Sequence, residues 1–217
     1  MNKYIYVIIA ILLMIYFGVE MRMHSFYQNI NVIKKPNDIL VLINKNNKLP
    51  DGFIPHNLKK ISTVFAMNNK YLVAEALVNF EKLSFNAKKV GYQITAISAY
   101  RSYDYQDKLF NNYIKQKGEF YTLECSAKAG HSEHQSGLAV DVMGSNNEYE
   151  LFENSKEFKW MINNCYKFGF ILRYPKDKVH ITGFKYEPWH YRYVGKKAAY
   201  FIYKHGICLE EYLANRY

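Results

Sequence analysis

The sequence predicts an α+β domain, a small antiparallel sheet with flanking helices, behind one apolar N-terminal helix. Three observations lead there. Helix-period and strand-period stretches succeed one another without the regular strand–helix–strand alternation of a parallel sheet. The chain has 217 residues, 49% hydrophobic and 17% aromatic, enough for one buried core and too apolar for disorder. Only 11 Gly, 5 Pro and three Cys exclude collagen-like, linker-rich and disulfide-dense chains. A mean hydropathy of -0.30 excludes a polytopic membrane protein.

From the N-terminus, Lys3 precedes an uncharged run, residues 4–19, closed by Glu20 and Arg22. In helix it rises about 24 Å at ~1.5 Å per residue. That is short for a spanning helix of ~20 residues and long for a secretory apolar core of about 7–15. No small-x-small cleavage pattern follows. Residues 1–22 are therefore expected to be an uncleaved signal-anchor, with a cleaved signal peptide as the alternative. Residues 23–39 read as a tether and 40–217 as the domain.

Within the domain, residues 38–43 read as a strand, and residues 44–55, with Pro50, Asp51-Gly52 and Pro55, as turn and loop. Leu72, Ala76, Val78, Phe80, Leu83 and Ala87 give residues 71–89 a helical period, stopped by Gly91. Residues 92–99 alternate apolar and polar, as in a half-buried strand. Residues 104–117 are helical again, with Gly118 as the stop, and 152–168 form a third helix closed by Gly169. The aromatic and β-branched stretch 170–192, broken at Pro175 and Gly183, reads as a hairpin.

The net charge of +10, from 29 Lys+Arg against 19 Asp+Glu, fits a nucleic acid, an anionic membrane or an anionic polymer. The lysines are scattered in pairs such as Lys34-Lys35, Lys59-Lys60 and Lys88-Lys89, and no nucleic-acid motif accompanies them. No nucleic-acid partner is expected. Cys125, Cys165 and Cys208 form no CxxC and leave one thiol over in any pairing.

Chemistry concentrates in two stretches. Residues 132–141 read SEHQSGLAVD and residues 187–190 read EPWH. His134, Asp141 and His190 offer two imidazoles and one carboxylate to a divalent metal, the three-ligand pattern that keeps a fourth position open. Glu187 stands within reach as general base. Leu138, Val140 and Val142 alternate with Ala139, Asp141 and Met143, as in a strand beside the site. Pro188 argues against a helix interior, so EPWH is no helical metal motif. Spacing alone leaves a metal site and chance placement both open.

Four motifs in order carry a resemblance. They are SAYRS at residues 98–102 followed by Gln106, GHSEHQSGLAVD at 130–141, FGFILRYP at 168–175 with ITG at 181–183, and EPWHYRYVG at 187–195. From about Leu40 to about Tyr212 the chain resembles the VanY-like D-alanyl-D-alanine carboxypeptidases, zinc peptidases of the bacterial cell wall. The resemblance implies a D-Ala-D-Ala peptidase or hedgehog-like fold, with Zn2+ held by His134, Asp141 and His190 and with Glu187 as catalytic base. It also implies that Arg101 pairs with the peptide's terminal carboxylate, while Gln106 and Ser132 make polar contacts to that carboxylate or to the ligands. A planar guanidinium suits the first role because it forks onto a carboxylate. Trp189 is read as packing that fixes His190. Ala129 departs from the Pro that many relatives carry before Gly130.

The expected activity is removal of the C-terminal D-alanine from peptidoglycan stem peptides. The alternatives are an L,D-carboxypeptidase or D-Ala-D-Ala dipeptidase of the same fold, and a non-catalytic cell-wall binding module. The expected protein is a monomer, anchored once in the membrane with its domain outside, or secreted if the N-terminal segment is cleaved.

Overall fold

The computed structural model describes residues 3–24, 26–145 and 149–215. The outermost residues of the expected N-terminal segment and of the expected domain, 1–2 and 216–217, lie outside them. The N-terminal segment is a helix, α1 (Lys3–His24). The expected membrane anchor is corrected, and with it the single-pass placement. Among the described residues no helix is long and apolar enough to cross a membrane. The physical reason is length: the uncharged run between Lys3 and Glu20 falls short of a hydrocarbon core of about 30 Å.

The expected tether lies against the domain. Within it, β1 (Asn31–Val32) pairs in parallel with β2 (Asn47–Lys48). The Phe26 ring packs at Gly183, and Tyr27 N–H donates to Asn46 Oδ1 at 2.9 Å. Residues 38–43, expected as a strand, are irregular. Their backbone is claimed by a side chain instead: Arg192 Nη2 donates to Ile39 O at 3.0 Å and to Val41 O at 2.8 Å.

Two short antiparallel strands follow, β3 (Leu58–Lys60) and β4 (Tyr71–Val73). Next come α2 (Ala74–Lys89), β5 (Thr95–Ser98), α3 (Tyr103–Lys117) and α4 (Glu119–Cys125). The chain continues through β6 (Ala139–Met143), α5 (Lys156–Asn164), β7 (Phe170–Leu172), the single turn α6 (Val179–Thr182), β8 (His190–Tyr193), α7 (Lys196–His205) and α8 (Leu209–Asn215). The expected third helix is thus α5 flanked by 3-10 turns. The expected hairpin exists as the β7–β8 pair, but α6 and the Glu187 turn fill its connection.

The sheet that organises the site has the order β5–β6–β8–β7 and is antiparallel throughout. Its two faces differ because side chains alternate along a strand. Val140, Val142, Tyr191 and Tyr193 join the core. Helix α2 supplies Ala76, Phe80, Leu83 and Ala87 to that core at helical spacing, and Phe80 meets Phe170 edge-on at 6.1 Å. Each large side chain so buried stabilises the fold by roughly 1.5–3 kcal/mol. Asp141 and His190 alternate with the core residues and so share the opposite face, as directly opposed partners in the β6–β8 register.

Local signals explain the ends of these elements. Ser102 caps α3 by accepting from Tyr105 N–H at 3.2 Å. Gly137, at φ +68°, reverses the chain before β6. A Cβ there would come within 2.9 Å of Leu58 Cδ2 and 3.2 Å of Val73 Cγ1, so the β3–β4 pair seats directly on this glycine.

Candidate active site

The loop between β5 and α3, the single 3-10 turn Glu133–Ser136, β6 and the start of β8 bring their side chains to one end of a cleft of about 280 Å3. Arg101, Gln106, Ser132, His134, Asp141, Glu187 and His190, separated by up to 89 positions in the chain, all line it.

His134, Asp141 and His190 are buried, and one potential ligand atom from each lies within 4.8 Å of the other two. The hydrogen bonds set the tautomers that a cation needs. His134 Nδ1–H donates to Ala99 O at 2.7 Å, which turns the Nε2 lone pair to Asp141 Oδ2 at 3.2 Å. His190 Nε2–H donates to Glu133 Oε2 at 3.3 Å, which turns Nδ1 to Asp141 Oδ1 at 3.0 Å. Two imidazole nitrogens and a carboxylate converge with their other donors spent on protein, and this donor set fits zinc. Positive charge is already drawn to the point of convergence: Arg101 Nη2 donates to His134 Nε2 at 3.0 Å and to Asp141 Oδ2 at 2.8 Å.

The electrostatics follow from burial and pairing. Burial, reinforced by Arg101, pushes His134 down to about 4, so it stays neutral. Burial would push His190 down as well, but its bonds to Asp141 and Glu133 outweigh that and hold it up at about 9. Burial would raise Asp141, yet the two imidazoles keep it well below the usual carboxylate range. Glu187 is pushed up to about 7, chiefly by burial, with His190 pulling the other way. Its Oε2 lies 3.7 Å from His190 Nδ1. A carboxyl tuned to neutrality beside a metal-fitting donor set is suited to moving protons.

The remaining expected residues take distinct places. Gln106 is buried, accepting from Arg101 Nη1 at 3.1 Å and donating to Ala127 O at 2.8 Å. Ser98 Oγ accepts from Arg101 Nε at 3.0 Å, so the guanidinium is gripped along its whole edge. Ser132 is buried and lines the cleft. Trp189 lines the cleft too, and its carbonyl accepts from Val142 N–H at 3.0 Å, tying the EPWH turn to β6. His131 is buried away from the ligands, donating from Nδ1 to Asn44 O at 2.9 Å.

Sequence reasoning missed the residue that anchors the far side of His190. Glu133 is fully buried. Its Oε1 accepts from Arg173 Nε at 2.7 Å and Arg192 Nη1 at 2.8 Å. Burial opposes its ionisation, but the two guanidiniums hold it far below the usual range. Arg173 reaches on to Glu210 in α8 at 2.7 and 2.9 Å. The signal that could have found this network is an arginine beside the apolar strand β7 and another within the aromatic strand β8, Arg173 and Arg192, both fully buried and so in need of carboxylate partners.

The chain is similar to known proteins over most of its length. The family model described as VanY, D-alanyl-D-alanine carboxypeptidase, matches residues 69–196. A Bacillus subtilis (strain 168) protein, YodJ, named as a candidate carboxypeptidase, is 43% identical over 190 residues, covering 84% of this chain and 70% of its own. The solved LdcB LD-carboxypeptidase superposes with a TM-score of 0.80 at 42% identity, covering 86% of this chain and 91% of its own. A vancomycin-resistance D,D-pentapeptidase VanY variant, solved in complex with Zn(II), superposes with a TM-score of 0.70 at 34% identity, covering 80% of this chain and 98% of its own.

Proposed function

Because this chain belongs to the VanY family of D-alanyl-D-alanine carboxypeptidases, we propose that it is a zinc carboxypeptidase that removes the C-terminal D-alanine from peptidoglycan stem peptides ending in D-Ala-D-Ala. One observation carries the reading: a buried His134–Asp141–His190 donor set converges beside a neutrality-tuned Glu187 and a gripped Arg101, at the end of a single cleft.

His134 Nε2, Asp141 and His190 Nδ1 hold the zinc. When bound, zinc supplies a Lewis acid that polarises the scissile carbonyl and makes a water acidic enough to attack near neutrality. Glu187 takes the proton of the attacking water and delivers it to the leaving amine of D-alanine. Arg101 forks onto the terminal carboxylate of the peptide and so selects a free C-terminus. Gln106 keeps that fork oriented through its own bond to Ala127 O. The Ser132 hydroxyl donates to the same carboxylate. The segment 40–217 is the catalytic unit.

A second reading has its own observation in favour. The likeness to LdcB exceeds that to the VanY variant in both identity and TM-score. In that reading the same machinery cuts an L,D bond, releasing D-alanine from a tetrapeptide. Zinc-loaded protein incubated with defined penta- and tetrapeptides, with products weighed by mass spectrometry, separates the two. The D,D reading expects loss of one alanine from the pentapeptide alone. Glu187→Ala is expected to keep its zinc and lose about 10²–10⁴ in rate. Full activity in that variant, or no alanine released from either peptide by the parent protein, would overturn the proposal.

A further inference from the structure

The cleft wall contributed by α3 is ordered in a way the chemistry at Arg101 does not use. Tyr105, Leu109 and Tyr113 line the cleft at four-residue spacing and form one stripe along the helix. Leu109 and Tyr113 are half-buried and Tyr105 is exposed. Lys117, the next residue at that spacing, ends α3. Its Nζ lies 5.4 Å from the Tyr113 ring centroid and 5.2 Å from that of Tyr121 in α4. Lys185 lies 4.5 Å from the same Tyr121 ring, but Glu124 neutralises it at 2.7 Å. Lys117 has no carboxylate partner among the described residues. Cys125, the last residue of α4, also lines the cleft.

Resting on the carboxypeptidase reading, we propose that this stripe is the subsite for the substrate upstream of the scissile bond. The peptide backbone lies along Tyr105, Leu109 and Tyr113, and Lys117 pairs with an anionic group on the substrate's upstream part. The dimensions agree. From Tyr105 to Lys117 the helix rises about 18 Å at ~1.5 Å per residue. An extended peptide covers that in about five residues at ~3.3 Å each. Arg101 fixes the C-terminal carboxylate at one end, so the cation at the other end measures peptide length and charge. The aromatic rings between supply sequence-tolerant apolar contact, and those beneath Lys117 hold its ammonium group in place.

The test uses the full zinc-loaded chain and two pentapeptides that differ only at the second residue, D-isoglutamate (free carboxylate) or D-isoglutamine (amide). The parent protein is expected to prefer the acid by about fivefold in KM, the effect of a rim ion pair of about 1 kcal/mol. Lys117→Gln is expected to abolish that preference with kcat within about twofold, and Lys117→Glu to invert it. Tyr113→Ala is expected to raise KM for the pentapeptides and leave a D-Ala-D-Ala dipeptide unaffected. Calorimetric binding of both pentapeptides to Glu187→Ala gives the same ratio without turnover. Release of alanine with equal KM for acid and amide in the parent and in Lys117→Gln overturns the subsite alone. No release, with the binding preference intact, overturns the activity and leaves the subsite standing.

Discussion

Replacing Glu133 by Gln removes one charge from the most buried ion cluster among the described residues, and its cost can be worked from the contacts. Arg173 keeps Glu210 at 2.7 Å and stays neutralised. Arg192 keeps only the carbonyls of Ile39, Val41 and Tyr193, and becomes a buried cation without a carboxylate. The amide that replaces Oε2 faces His190 Nε2–H, donor against donor. Breaking one side of a buried pair costs about 3–5 kcal/mol, against a total stability of about 5–15 kcal/mol. With a urea slope of about 2 kcal/mol/M, the unfolding midpoint should fall by about 1.5–2.5 M. Chelator-treated parent and variant should be compared, so that zinc binding does not enter. The depressed carboxyl sets one part of the pH dependence. Its contribution is present above the unfolded value of about 4.3 and is lost only as pH falls through the much lower folded one. Glu133 itself is charged at both pH 6 and pH 8, but it also helps hold His190 up at about 9, so the deficit should be larger at pH 6, where that stabilisation is more fully present. Glu133→Gln with Arg192→Met removes both charges and should recover much of the loss. A midpoint shift under about 0.5 M for the single variant would refute the cluster's role, since that is the scale of an exposed pair.

Other outcomes follow from the same geometry. Zinc affinity should rise about tenfold per pH unit up to about 9, because the His190 Nδ1 proton must leave before the metal binds; competition with a chromophoric chelator at pH 6, 7 and 8 checks this, and a flat profile would contradict it. His134→Ala should bind little zinc after dialysis, measured by elemental analysis, while retaining the far-ultraviolet dichroism of the parent. Arg101→Lys keeps the charge but loses the fork held by Ser98 and Gln106, and should raise KM for a pentapeptide by about 10–100-fold with a smaller change in kcat. Gly137→Ala should cost about 1–3 kcal/mol by thermal or urea unfolding, because its Cβ meets Leu58 and Val73 at a backbone angle that favours glycine.

The parts legible in the sequence were those written in local pattern. The apolar period of α2, the Gly118 stop of α3, and the alternation through Asp141 all describe contacts between residues close in the chain. The site motifs were legible because Asp141 and His190 each sit in a short strand flanked by recognisable turns. Residues 38–43 misled because a buried apolar run looks the same whether its carbonyls meet a strand or a guanidinium. Strand β5 begins at Thr95 rather than residue 92 because Met143, its first partner, ends β6. Glu133 stayed hidden because its partners lie 40 and 59 residues away, and no periodicity links positions so far apart.

The Arg173–Glu210 bond has a consequence for how the protein is made. All three metal-fitting side chains precede residue 191, yet the carboxylate that balances Arg173 arrives later, with α8. On the ribosome, the ligands emerge before the group that settles the charges behind them. Until Glu210 docks, Glu133 answers alone to two guanidiniums, and its hold on the His190 imidazole is contested. A chain cut between β8 and α8 would carry all three of those side chains and lack the carboxylate that balances Arg173 behind them.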